Sequence, residues 1–240
     1  VEELEDIVDE RTRELKETNE FLRESEQRFR VMADSAPVLI WISGKDKQYT
    51  YFNKKWLSYT GRTMKQELGE GWMAGIHPDD LKNCTEIYNT AFEERISFEM
   101  EYRLKNAEDE YLWLLANGTP RYEGNEFAGY TGSCIEINER KKNERFLKIQ
   151  YDISKTLAES ESLEEALNRI LENICSGINW NFGLLWLIDE KNNAIKPDYL
   201  WSDNEIDLNR YQKSQKDTTE YSVNEGIRGR VLKEGRSIWS

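Results

Sequence analysis

The chain has 240 residues, room for one large domain or two small ones. Charged residues reach 33% against 38% hydrophobic, and the net charge is −13, so there is no basic face for phosphate contacts and no attraction to anionic membranes. The 8 Trp and 12 Tyr are more than a disordered chain carries, so most of the sequence is expected to fold. The longest apolar run, Phe182 to Ile188, is far short of the ~20 residues of a membrane span, and no signal peptide opens the sequence. The three cysteines, Cys84, Cys134 and Cys175, form no CxxC pair, which argues against zinc and for free thiols in a reducing compartment. We therefore expect a cytoplasmic protein; a longer parent has room for a membrane anchor upstream.

Residues 1–36 contain no Gly or Pro. Leu4, Val8, Leu15, Leu22 and Phe29 form an apolar seam with Arg11, Thr18 and Ser25 between them, a coiled-coil pattern with one weak side. Two readings stand, a parallel homodimer through this seam or a single helix on its own domain. The seam is already running at Val1, as in a chain cut from a longer one.

Pro37 ends that helix, and strands are expected over 38–43 and 49–52 with a turn at Gly44 to Asp46. Short helices follow to Arg95. Thr63 with Gln66 makes a capping box, and Asp79 and Asp80 are expected to cap the helix after Pro78. Three strands come next, over 97–104, 111–120 and 127–137. Phe98, Met100, Tyr102 and Leu104 alternate with Glu99, Glu101 and Arg103, so one face of the first strand is apolar. In the second, Tyr111, Trp113 and Leu115 face one way and Leu112 and Leu114 the other, so both faces are expected to be covered. We assign Leu112 and Leu114 to the outer face as an interaction surface. The order of elements predicts an α+β fold, an antiparallel five-stranded sheet with helices on one face.

Asn138 to Glu159 is expected to be one helix with Phe146, Ile149, Ile153 and Leu157 as its seam. Ser162 and Glu165 cap a further helix ending at Gly177. Strands are expected over 182–188 and 195–201 around a turn at 189–193, and Pro197 suggests an edge position. Helices over 207–216 and 227–233 and a strand from Ser237 complete the pattern, so the second sheet is expected to be incomplete at Ser240.

Several segments carry a resemblance. "SEQRFRVMADSAPVLIWI", "YFNKKWLSYTGRT", "GEGWMAGIHPDDL", "FEMEYRLKNAEDEYLWLLANGTP" and "GYTGSCIEINERKKNE" occur in the order and spacing of a PAS domain with its C-terminal PAC part. Asn53 stands where that family caps its first inner helix, and Glu136-Ile137-Asn138 replaces the family's usual Asp-Ile-Thr. "ISKTLAESESLEEALNRILENI", "WNFGLLWLID" and "VNEGIRGRVLKEGRSIW" resemble the start of a GAF domain. The resemblance implies a coiled-coil helix over 1–30, a PAS/PAC sensor over 31–138, a linker helix over 139–160 shared with the GAF part, and a truncated GAF-like α/β sheet domain over 161–240. It also implies the input region of a sensor histidine kinase of a two-component system, with kinase domains downstream. A cyclase, a phosphodiesterase or a transcription regulator as output, and a passive dimeric spacer, are the alternatives.

No catalytic constellation is found. His77 is the only histidine, and "GIHPDD" does not match a phospho-accepting motif, so a structural role before a helix is expected. No phosphate-binding glycine loop is present. Flavin-binding relatives carry Asn-Cys-Arg-Phe-Leu, whereas Asn83-Cys84 is followed by Thr85, Glu86 and Ile87, so neither flavin nor haem has motif support. No metal site is expected. Trp41, Trp56, Tyr59, Trp72, Cys84, Tyr88, Tyr102, Trp113 and Tyr130 are the candidate lining of a small-molecule pocket; a filled aromatic core has the same signature. Leu15, Leu22, Phe29, Leu112, Leu114, Phe146 and Ile153 are the candidate interaction surface of a homodimer.

Overall fold

The structure, a computed structural model, describes residues 2–189, 194–203, 221–222 and 226–238. The expected turn residues 190–193, the helix at 207–216 and the strand end at 239–240 lie outside them. The chain divides into two compact units, 1–139 and 140–240, each described by itself.

The first unit opens with helix α1 (Glu2–Ser35). It stops two residues before Pro37, which has no N–H to donate and biases its neighbour away from helix. Strands β1 (Leu39–Ser43) and β2 (Tyr49–Phe52) pair as a hairpin. Helices α2 (Lys54–Thr60) and α3 (Met64–Glu67), a 3₁₀ turn (Gly71–Gly75) and α4 (Pro78–Glu94) follow. Then come β3 (Phe98–Lys105), β4 (Tyr111–Glu123) and β5 (Glu126–Glu136). The sheet is antiparallel and five-stranded, as the pattern of elements predicted, and its order is β2-β1-β5-β4-β3. Gly132 on β5 sits against the Trp41 ring and the Asn117 carbonyl, so a Cβ there would collide with both.

The Thr63–Gln66 capping box forms. The cap of α4 is different from expectation. His77 holds that position, its Nδ1 accepting from Asp79 N–H at 3.3 Å. Asp80 is instead turned to β3, where its carboxylate accepts from Arg103 N, Nε and a terminal nitrogen at 2.8–2.9 Å. A fork of donors on a neighbouring strand outcompetes a single orphan N–H, and Arg103 holds the Asp80 carboxyl below the usual carboxylate range.

Helix α5 (Asn138–Glu159) begins at the end of the first unit and continues in the second. The second unit adds α6 (Leu163–Gly177), capped by Ser162 Oγ, which accepts from Glu165 N–H at 3.2 Å. Its described strands β6 (Phe182–Asp189), β7 (Ala194–Ser202) and β8 (Tyr221–Ser222) form an antiparallel sheet in the order β6-β7-β8, followed by α7 (Gly226–Glu234). Pro197 is therefore not on an edge strand. It pairs with Trp186 beside a register irregularity, and among the described residues β8 pairs only with Ala194 and Ile195. Among the described residues, no helix is long and apolar enough to cross a membrane.

Candidate functional site

The inner face of the first sheet and the helices α2 to α4 enclose a core of rings. Trp41 lies 5.0 Å from Tyr49, Tyr49 4.6 Å from Trp72, and Phe52 4.7 Å from Trp56. Tyr88 from α4 closes against Tyr130 at 6.0 Å. Their polar atoms are partly satisfied within the protein. Tyr88 donates to Ser43 Oγ at 2.8 Å, and Tyr130 is within 2.5 and 2.7 Å of the Ala91 and Ile96 carbonyls. Tyr102 Oη stands 3.6 Å from Cys134 Sγ. Tyr59 Oη and Trp72 Nε1 are buried with no hydrogen-bond partner in the protein, whereas the Trp56 indole faces the Glu67 carboxylate.

Of the nine residues named from sequence as a lining, Trp41, Trp56, Trp72, Cys84, Tyr88, Tyr102 and Tyr130 belong to this core, and Tyr59 packs against it. Trp113 does not. It lies on the opposite face of β4, with the Arg103 guanidinium 5.3 Å over its ring. Burial pushes the Cys84 and Cys134 thiols up to about 12, so both are protonated packing groups rather than thiolates. His77 stands outside the core, its ring 4.6 Å from Tyr111.

Two buried polar side chains hold the helices to the sheet; the resemblance placed Asn53 as a helix cap, and Glu67 carried no sequence expectation. Asn53 is fully buried. Its Oδ1 accepts from Ile40 and Trp56 N–H at 3.0 Å, and its Nδ2 donates to the Ala33 and Val38 carbonyls at 2.8 and 3.0 Å. One amide therefore joins the end of α1, strand β1 and helix α2. Glu67 is 1% exposed, with Arg62 Nε 3.1 Å from its carboxylate. Burial pushes the Glu67 carboxyl up, while Trp56, Arg62 and Thr60 beside it favour the charged form. Arg62 also donates to the carbonyls of Gln66 and Gly71, clamping the α3 loop.

The outer face of the sheet is the reverse of the sequence assignment. Leu114 is 0% exposed and pairs with Tyr102 in the core, and Leu112, two residues away, shares that inner face opposite Leu104. The outward residues are Tyr111, Trp113, Leu115 and, opposite Leu115 on β5, Ile135; Tyr111 and Ile135 are exposed. Both alternating sets are apolar, so periodicity separates the faces without saying which one meets the helices.

On α1, Leu15 and Leu22 are 64% and 58% exposed, whereas Phe29 also packs on the Tyr51 ring at 5.4 Å. On α5, Phe146 is exposed and Ile153 half-buried. The start of α5 is tied to the sheet. Asn138 Oδ1 accepts from Trp113 N–H at 2.9 Å, and Ile137 N–H donates to the Trp113 carbonyl at 2.9 Å.

The family model described as the PAS fold matches residues 49–133. The chain is similar to the uncharacterized protein y4lL of Sinorhizobium fredii, 36% identical over 165 residues, covering 65% of this chain and 20% of that protein. It is also similar to the peroxide stress-activated histidine kinase mak1 of Schizosaccharomyces pombe, 23% identical over 134 residues, covering 52% of this chain and 8% of that one. Among solved structures, a PAS domain from Colwellia psychrerythraea is 20% identical with a TM-score of 0.41, covering 48% of this chain and 97% of that chain. The chain spans a fifth or less of the length of the curated relatives it matches.

Proposed function

Residues 49–133 form a PAS domain, and from that premise we propose that the chain is a sensory input and dimerisation module that relays the state of this domain along α5. In this reading residues 140–240 are the start of a GAF domain, and the parent protein is a sensor histidine kinase. Two S. pombe relatives named as histidine kinases support that choice of parent.

The observation that carries the relay is the pair of hydrogen bonds between Trp113 and the residues opening α5. A shift of the outer strands moves the first turn of that helix directly. The buried Tyr59 phenol and Trp72 indole, which have no hydrogen-bond partner in the protein, support a polar ligand as the signal. Asn138→Ala should release the connection. We expect amide exchange in the first turns of α5 to rise about tenfold, the effect of losing one hydrogen bond worth ~1.4 kcal/mol, while the sheet stays protected. Unchanged protection of α5 would leave a passive spacer as the better account.

The exposed seam of α1 supports the dimer. A lone helix with Leu15 and Leu22 in water gains by covering them, and a second copy supplies the matching seam. Leu15→Glu with Leu22→Glu places like charges in two layers. The dissociation constant read by light scattering should rise roughly a hundredfold. A chain that is monomeric before the substitution, or dimeric to the same extent after it, would sink the seam as the interface.

A further inference from the structure

A second concave site lies on the first unit, away from the ring core. The β1–β2 turn, the end of α4 and the β4–β5 turn line a cleft of about 710 Å³, within the range of small-molecule sites. Its apolar wall is Phe92 and Phe127, ring centroids 5.0 Å apart and nearly perpendicular. A cation stands over each ring, Lys47 Nζ 5.2 Å from the Phe92 centroid and the Arg95 guanidinium 5.2 Å from that of Phe127. Lys45 adds a third positive charge, against Glu93 and Glu126, so the cleft carries a local excess of one positive charge in a chain of net −13. Lys47 is held by Asn89 Oδ1 at 2.9 Å and lies 3.7 Å from Glu93. Among the described residues, neither Arg95 nor Lys45 is in an ion pair, although carboxylates are abundant.

Lys47 and Arg95 have φ of 66° and 55°. Among the described residues, the other two non-glycine positions with positive φ are Asp109 and Asn179, types that tolerate that conformation. A glycine would make either turn without strain. Arg95 is the left-handed C-cap of α4, its N–H bonded to the Ala91 carbonyl, and Lys47 turns the β1–β2 hairpin, so both cations are set at the mouth of the cleft by the turns that carry them.

We propose that this cleft binds a small organic anion, a carboxylate carried on a planar or apolar body. Arg95 and Lys47 take the carboxylate, Arg95 through its two-pronged donor edge, and the body packs on the Phe92–Phe127 pair. The apolar wall favours such a ligand over a bare inorganic anion, and the neighbouring Glu93 and Glu126 disfavour high negative charge. This assignment goes beyond the relay and rests on no part of it.

The test titrates benzoate into the full chain at constant ionic strength, followed by calorimetry and by the ring resonances of Phe92 and Phe127, with inorganic phosphate as the charge-only control. We expect saturable benzoate binding with a dissociation constant on the order of 1 mM, and a weaker response to phosphate. Arg95→Gln, at an exposed position, should weaken binding about tenfold, the effect of one charge-assisted hydrogen bond. Lys47→Gln should weaken it in the same direction, with circular dichroism confirming that both variants are folded. Absence of saturation, an equal response to phosphate, or benzoate affinity unchanged in both variants would overturn the proposal.

Discussion

Leu114→Glu should unfold the first unit rather than release a surface contact. Leu114 has no exposed area and lies on β4 opposite Tyr102, within the cluster that includes Trp41, Tyr130 and Cys134. The buried polar residues of that unit are Ser43, Asn53, Thr60, Glu67 and Asn106, none of them a cation. A carboxylate placed there has no partner, and either it stays charged at a large desolvation cost or it is protonated at a smaller one. Added to the lost apolar contacts, the cost should be about 4 kcal/mol or more, a large part of the 5–15 kcal/mol that holds a domain together. Urea denaturation followed by tryptophan fluorescence reads the effect. Leu112→Glu should be milder, since Leu112 is only half-buried. A wild-type midpoint for Leu114→Glu would mean that the inner and outer faces of β4 have been exchanged.

Asn53→Ala should be nearly as damaging, through hydrogen bonds rather than volume. The side chain satisfies the N–H groups of Ile40 and Trp56 and the carbonyls of Ala33 and Val38. Alanine leaves all four without this partner, and each buried backbone group that finds no replacement costs about 1–3 kcal/mol. The Ile40 carbonyl keeps its bond from Asn53 N–H at 3.0 Å, and β1 stays paired with β2 and β5. We expect a loss of about 3–5 kcal/mol. Asn53→Asp separates the two halves of the role. It keeps the acceptor for Ile40 and Trp56 but sets a buried carboxylate oxygen against the Ala33 and Val38 carbonyls, so it should be at least as damaging as alanine. Denaturant midpoints of the two variants check the order; a loss under ~1 kcal/mol for Asn53→Ala would show that water replaces these bonds freely.

The Trp113 connection to α5 and the anion cleft differ from these two in kind. Each is placed at the unit's surface, where a substitution should alter exchange or affinity without unfolding the chain. That difference separates loss of a signal from loss of a fold, and circular dichroism on each variant distinguishes them.

Much of this protein was legible in the chain itself. The absence of Gly and Pro from residues 1–36 and the following Pro37 set α1 and its end, because those signals act on the backbone locally. Alternation placed Phe98, Met100, Tyr102 and Leu104 on one buried face, and the Thr63–Gln66 box formed where its spacing required. What the tertiary structure decided are choices between equals. Tyr111–Leu115 is apolar on both sides, so only packing against the helices determined that Leu114 goes in and Trp113 out. Asp79, Asp80 and His77 could each serve the start of α4, and the arrival of Arg103 from β3 drew Asp80 away and left His77 as the cap. The resemblance placed Asn53 as a helix cap, which its bond from Trp56 N–H bears out, but not as the anchor of Ala33, which is twenty residues back. The cleft of Lys47 and Arg95 gathers three turns far apart in sequence. Periodicity and capping are set by neighbours along the chain, whereas the identity of a face, a partner or a cleft is set by which distant segments the core brings together.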